Sequence, residues 1–465
     1  MTADGAAGDG AAAGDGAGDG AAAYGPLWGE ATGHAVRAFP VSGVPMPVEF
    51  LAALVRVKRA AALANAELGL LGAAEAAAIT AGCDQVLAGG LWDQFPVDTY
   101  QTGSATSSNM NANEVVAALA RRHDPSVTVL PHEHVNRCQS SNDVVPTAMR
   151  VATAVALRTD LVPALRTLRD TLAEKAVEFR DVLKIARTHL QDATPMRLGQ
   201  EFHGWAGQLE RAVPRVEAAV TELSELPLGG TAVGTGLNAH PGFAAKVCAR
   251  LAADLGIGFH ETANHFCGQS TLDGMVSAHA AVTTAALALH KIGCDIRLLA
   301  TGPRAGLGEL RVPDVKVSSS IMPGKVPPSV IESLTMAVAR VVGNDATVRF
   351  AQTGSVLELN VMMPVAIDAA LQSTRLLAAA VRNTDAQCVR GLEATDRGPA
   401  NVRGSVMLTT ALSPHIGYHA AAEITRDALA TGDDIPTAAA RHGVTRAQFG
   451  AWVDPHTMTG PTDHP

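Results

Sequence analysis

Between Val144 and about Arg397 the sequence repeats one pattern: long Ala/Leu/Val-rich stretches of helical period, each closed by a short polar interruption. Val151–Ala176 alone reads as one helix of about 25 residues, nearly 40 Å long at about 1.5 Å per residue. Helices of that length cannot wrap a small core. They lie side by side, so the pattern predicts an elongated bundle. Aromatics make up 4% of the chain against 47% hydrophobic residues overall, which makes the core aliphatic and lets helices approach closely.

The flanks of this region differ from it. Residues 1–23 are almost entirely Gly, Ala and Asp, too little apolar surface to offset the entropy of ordering, and a disordered tail is expected there. From Val48 the helical spacing of Phe50, Leu51, Leu54, Val55 and Val57 sets an apolar face, with Lys58 and Arg59 on the polar side. After Gly398 the segments shorten. The expected organisation is an N-terminal mainly helical domain over 24–143, a central long-helix domain over 144–397 and a small C-terminal helical domain over 398–465, in keeping with a chain of 465 residues.

Composition narrows the partners. No run of about 18 uncharged apolar residues is present, so no membrane span is expected. A formal charge of −9 offers no electrostatic footprint for nucleic acid. The six cysteines are scattered, with no Cys-x-x-Cys pair, and read as reduced, buried residues of a cytoplasmic protein rather than a disulfide frame or a zinc site. No nucleotide-binding glycine fingerprint occurs.

The chemistry sits in the interruptions. Tyr100–Glu114 is dense in hydroxyls and amides, suited to a carboxylate or else to capping the next helix with Ser108 or Asn111. Gln139-Ser140-Ser141-Asn142-Asp143, Thr188–Pro195 and Gly229–Asn238 are further polar blocks, read as loops at helix ends. In Ser318–Thr335, three hydroxyls run into Met322-Pro323-Gly324-Lys325, and Pro327-Pro328 precede a helix expected to start near Pro328. Lys325 then lies just outside a helix N-terminus, a setting that favours an anion. Such blocks suit a site that binds carboxylates and moves protons without metal or cofactor.

These blocks carry a resemblance. Ser318–Pro328 is similar to the signature Gly-Ser-Ser-x-Met-Pro-x-Lys-x-Asn-Pro of the fumarase/aspartase superfamily. In family order, Thr102–Glu114, Gln139–Thr147, Thr188–Glu201, Gly229–Asn238, Gly343-Asn344-Asp345 and Glu358–Val361 resemble class II fumarases, over nearly the whole chain from about Trp28 to Met458. His189 in Thr-His-Leu-Gln-Asp favours fumarase, since an ammonia-releasing aspartase carries Gln there.

The resemblance implies a mainly α, three-domain fumarase/aspartase-like fold with a long central helical bundle. It also implies a homotetramer, with composite sites drawn from three chains, that hydrates or eliminates across a C4 dicarboxylate. Carried over position by position, Ser319 is the base and Lys325 stabilises the charge that builds on a carboxylate. His189, paired with Glu332, handles the proton of the water or leaving group. Ser104, Thr106, Ser140, Ser141, Asn142 and Thr188 hold the substrate carboxylates. A serine is a weak acid, so Ser319 needs backbone N–H groups and Lys325 nearby to favour its alkoxide.

The departures cluster at the substrate and at a second anion site. Ser318 stands for the signature Gly and Pro327 for its Asn, which removes an amide expected to bind a carboxylate; Ala105 replaces a Gly in the Ser-Gly-Thr pattern. Leu130 and His132 stand where the family's secondary anion site has His and Asn, so that site is not carried over. Three readings follow: a fumarate hydratase, a carbon–oxygen lyase; a related lyase that releases ammonia, an amine or another leaving group from a substituted succinate; and a catalytically silent scaffold.

Overall fold

The computed structural model describes residues 25–316 and 319–461; the Gly/Ala/Asp tail and Ser318 lie outside the described residues. The helices in chain order are α1 (Glu30–Ala38), α2 (Val48–Glu67), α3 (Ala73–Leu87), α4 (Thr106–His123), α5 (Ser141–Ala156), α6 (Val162–Glu178), α7 (Leu198–Leu223), α8 (Phe243–Leu255) and α9 (His265–Ser270). They continue with α10 (Asp273–Leu299), α11 (Ser329–Gln352), α12 (Met363–Gln387), α13 (Arg397–Gly404), α14 (Ser413–Ile416), α15 (Tyr418–Thr431), α16 (Ile435–Arg441) and α17 (Arg446–Trp452). The fold is mainly α, as the periodicity predicts. Every sheet among the described residues is two-stranded. The longest helices, α7, α10, α11 and α12, have 26, 27, 24 and 25 residues, or about 36–40 Å each. No described helix is long and apolar enough to cross a membrane.

Val151–Ala176 is not one helix. A π-type turn at Leu157–Leu161 separates α5 from α6, next to Pro163, which has no N–H to give to the helical ladder.

The chain divides into two compact units, one of residues 25–156, 220–278 and 346–371 and the other of 157–219, 279–345 and 372–461. In the first, Phe50, Leu51, Leu54, Val55 and Val57 of α2 are all buried. A Cβ on Gly82 of α3 would sit 3.0 Å from the Val116 carbonyl of α4, so the two helix backbones nearly touch. This is the close approach that an Ala-rich, aromatic-poor composition allows. Lys58, expected on the polar face, is instead fully buried. Its Nζ donates to Asn136 Oδ1 and Gln139 Oε1, both at 2.9 Å, and these amides replace water for the ammonium. Arg59 does face outward, to Asp84 at 2.7 Å.

The second unit holds a β-hairpin, β1 (Leu183–Thr188) and β2 (Gln191–Arg197). Its base carries a buried charge cluster. Lys184 Nζ lies 2.6 Å from Glu201 Oε2 and 3.5 Å from Glu309 Oε2. Arg187 holds Glu309 through two nitrogens, at 2.8 and 3.1 Å. Burial pushes the Glu309 carboxyl up, but Arg187, Lys184 and Asn401 outweigh it and hold the group below the usual carboxylate range. Ile185 of β1 also joins an apolar cluster with Leu412, Ile424, Ile435, Ala438, Val444 and Val453. The shorter C-terminal helices thus share a core of their own. Within α10–α12 a second buried polar group links His279 Nδ1 to Asp345 at 3.0 Å and His279 Nε2 to Ser373 Oγ at 2.9 Å.

The cysteines are all free. Four are buried as expected; Cys267, on the outward side of the short α9, is exposed and Cys294 is half-buried.

Candidate active site

In the first unit, Ser104 and Thr106 flank the start of α4, their hydroxyls 2.8 Å apart. Between them Ala105, fully buried, is the helix N-cap residue and adopts φ +53°. That is the left-handed region where Gly is at ease and Ala is strained. Ser108 and Asn111 do not cap α4, because the helix begins ahead of both and buries them. Ser108 instead bonds to Gln101. The turn is pressed against another polar block: Gly103 O accepts the Met363 N–H at 3.0 Å, and a Cβ on Gly103 would overlap the Val361 carbonyl.

Ser140, Ser141 and Asn142 are half-buried at the start of α5. Ser140 Oγ accepts the Asn142 N–H at 3.2 Å, and Asn142 Nδ2 donates to the Ala232 carbonyl at 2.9 Å. The block therefore meets Gly229–Asn238. Beneath it Asp143 is fully buried, and loss of solvation pushes its carboxyl above the usual range despite N–H donors from Ser140, Thr231 and Gly229 and the nearby Lys58.

The second unit carries the rest. Thr188 and His189 are exposed at the hairpin tip. Thr188 pairs with Gln191, leaving a two-residue turn in which His189 (φ +55°) and Leu190 (φ +60°) are both left-handed, the signs of a type I′ turn. Thr188–Pro195 is thus a strand–turn–strand rather than a loop between helices. Ser319 is half-buried, and its Oγ accepts the N–H groups of Met322 at 3.0 Å and Ile321 at 3.3 Å. Lys325 is exposed on the same segment. The helix start expected near Pro328 falls at Ser329, with Glu332 exposed in the first turn of α11. Within the single chain, among the described residues, His189 and Glu332 make no ion pair or hydrogen bond with each other.

A family profile described as Lyase matches residues 21–343 and one described as Fumarase C C-terminus matches 408–460. A fumarate hydratase class II of Ralstonia nicotianae is 48% identical over 441 residues, covering 93% of this chain and 96% of the relative. The chain belongs to the class II fumarase family. A second member, from Halalkalibacterium halodurans, is 46% identical over 94% of this chain and 96% of its own. Among solved structures, a class II fumarase from Schistosoma mansoni superposes with a TM-score of 0.92 at 34% identity, covering 95% of this chain and 97% of the other. A fumarate lyase:delta crystallin from Brucella melitensis gives 0.88 at 40% identity, over 94% and 96%. The fold is thus that of the fumarase/aspartase superfamily.

Two of the departures from the fumarase pattern can be located in the structure. Pro327 accepts the Ser329 N–H at 2.8 Å, and with Pro328 it lines an apolar crevice formed by Val312, Pro313, Val315 and Cys388. At the segment that would form a fumarase's second anion site, His134 Nδ1 is occupied by the Leu130 N–H at 3.0 Å. Asp143, Lys58 and Thr231, to which the sequence reading gave no role at the site, emerge as the supports of the Ser140–Asn142 turn. The signal available in the sequence was an acid directly following a Ser-Ser-Asn run.

Proposed function

We propose that the chain catalyses the reversible hydration of fumarate to malate, as a carbon–oxygen lyase. The observation that carries this is the seat of Ser319: two backbone N–H groups already converge on the oxygen that has to bear negative charge as the base. Ser319 takes the proton beside a substrate carboxylate, and Lys325 stabilises the charge that spreads onto that carboxylate. His189, tuned by Glu332, delivers a proton to the departing hydroxyl, which leaves as water. Ser104, Thr106, Ser140, Ser141, Asn142 and Thr188 hold the two carboxylates by uncharged donors. The test is an ultraviolet assay for fumarate formed from malate; no absorbance change with malate would overturn the reading.

The second reading, elimination of ammonia, an amine or another group from a substituted succinate, is favoured by one feature. Pro327 turns a ring where the family pattern has an amide, so one carboxylate is recognised differently. A panel of substituted succinates in the same assay separates the two.

A homotetramer with sites composed of three chains is part of the proposal. It is supported by the apolar side chains that α10 and α11 leave exposed: Leu287, Leu298, Met336 and Val342. A cytoplasmic location is proposed from the six free cysteines. The three-domain division at residues 143 and 397 is likewise proposed, and the separate profile match over 408–460 supports its last part.

A further inference from the structure

Asp143 has no part in the proton transfers above, yet both of its carboxylate oxygens are engaged. Oδ1 accepts the Ser140 N–H at 2.9 Å. Oδ2 accepts the N–H groups of Gly229 at 3.0 Å and Thr231 at 2.9 Å. One buried carboxylate therefore fastens two loops that are far apart in sequence. The Asn142 amide adds a fourth link, to the Ala232 carbonyl.

The loop held in this way is under strain. Thr231 is β-branched and adopts φ +55°, a conformation such residues rarely take. Its hydroxyl is buried without a hydrogen-bond partner among the described residues. Gly229 adopts φ +102°, and a Cβ there would come within 2.9 Å of Ala244 Cβ. Strain of this kind persists only where the surroundings over-determine it, and the charge-assisted bonds from Asp143 supply that constraint. The same bonds decide which donors stay available. The Ser140 N–H and one of the two Asn142 side-chain N–H donors are spent internally, so the second Asn142 donor and the hydroxyl protons of Ser140 and Ser141 remain for a ligand.

We infer that Asp143 is a positioning residue for the reaction: by pinning Gly229–Asn238 onto the Ser140–Asn142 turn, it fixes the geometry in which that turn receives a substrate carboxylate. The inference rests on the reading of Ser140, Ser141 and Asn142 as carboxylate ligands. Glu114 is the matched control. Its carboxylate also gathers backbone N–H groups, those of Gly29, Ala31 and Thr32, but at the start of α1.

The experiment compares the wild type, Asp143→Asn, Asp143→Glu and Glu114→Gln, with two readouts: malate kinetics, and the rise in Tm caused by succinate, a dicarboxylate that cannot react. Asp143→Asn should raise KM by about 10-fold or more while kcat changes much less, as expected for lost ground-state binding. The succinate shift should fall with it. Glu114→Gln should lower Tm yet keep the wild-type KM and succinate shift. Should Asp143→Asn fail to fold, Asp143→Glu, which keeps the charge but displaces it by one methylene, should show the same KM rise. An unchanged KM and succinate shift in the folded Asp143 variants would overturn the inference, as would equal losses in Glu114→Gln. A wild type that responds to succinate but does not turn over malate would sink the hydratase reading alone, because the succinate comparison still tests Asp143.

Discussion

Lys58 Nζ lies 2.9 Å from Gln139 Oε1, and with Asn136 at the same distance two side-chain amides hold the ammonium in the protein interior. Burial lowers its pKa from an ordinary 10.5 to about 7, although Asp143 opposes the shift. Between these two values the unfolded chain keeps a proton that the folded chain has shed. The contribution of this group to stability therefore rises as pH climbs from about 7 towards 10.5. The Tm of the wild type relative to Lys58→Met should increase across pH 7–9, with a slope of at most about 1.4 kcal/mol per pH unit. A difference that is flat or falls with pH would mean that Lys58 stays charged throughout.

Ser319→Ala should lower kcat by orders of magnitude with an unchanged Tm, since the hydroxyl is needed only when the proton moves. Ser318→Ala should be close to wild type. The reverse result would show that the base is the preceding serine.

If the sites are shared between chains of a tetramer, as proposed, mixing Ser319→Ala chains with His189→Ala chains should restore part of the activity that each lacks alone, because some sites of a hybrid would then have both groups intact. Mass spectrometry verifies the hybrids, and verified hybrids without recovered activity would argue for sites made within one chain.

Pro327→Asn should raise malate/fumarate turnover by about 10-fold for each 1.4 kcal/mol of restored transition-state binding, and lower it on any substituted succinate that proves the better substrate. Loss of every activity at unchanged Tm would instead make the crevice wall formed by Pro327 and Pro328 part of the working loop.

Glu309→Ala should destabilise the protein by about 3–5 kcal/mol, the scale for leaving buried partners uncompensated, because Lys184 and Arg187 both lose their shared carboxylate. Chemical denaturation measures this. A change under about 1 kcal/mol would place the cluster among the weak surface pairs.

The long helices were legible because a 3.6-residue period sustained for six or seven turns has no other use. Three features were not, each for a physical reason. The hairpin at Thr188–Gln191 lacks the Gly or Asn that usually marks a turn with two positive φ values, so its polar residues read as a loop. Lys58 was assigned to water because periodicity knows only its own helix, and the amides that solvate it lie about eighty residues away. The π-type turn after Ala156 leaves the apolar repeat intact and shows only in the backbone. As for the site, the place of Lys325 beside a helix start could be reached from its loop, whereas the roles proposed for Ser319, His189 and Glu332 could be reached only through the family resemblance, since no spacing within the sequence encodes them.

The hairpin makes loop length, rather than residue choice, the quantity least free to vary near His189. Its strands run from the buried Lys184 to the exposed tip in four steps, about 13 Å at 3.3 Å per residue, and a two-residue turn has no slack to absorb a change. Deleting or adding one residue would reset the reach of His189 and turn alternate side chains to the opposite face, while the anchor at Glu309 stayed where it is. Other side chains at position 189 would leave the length of the hairpin as it is, whereas an insertion or deletion in this segment would move the proton donor proposed here away from its place.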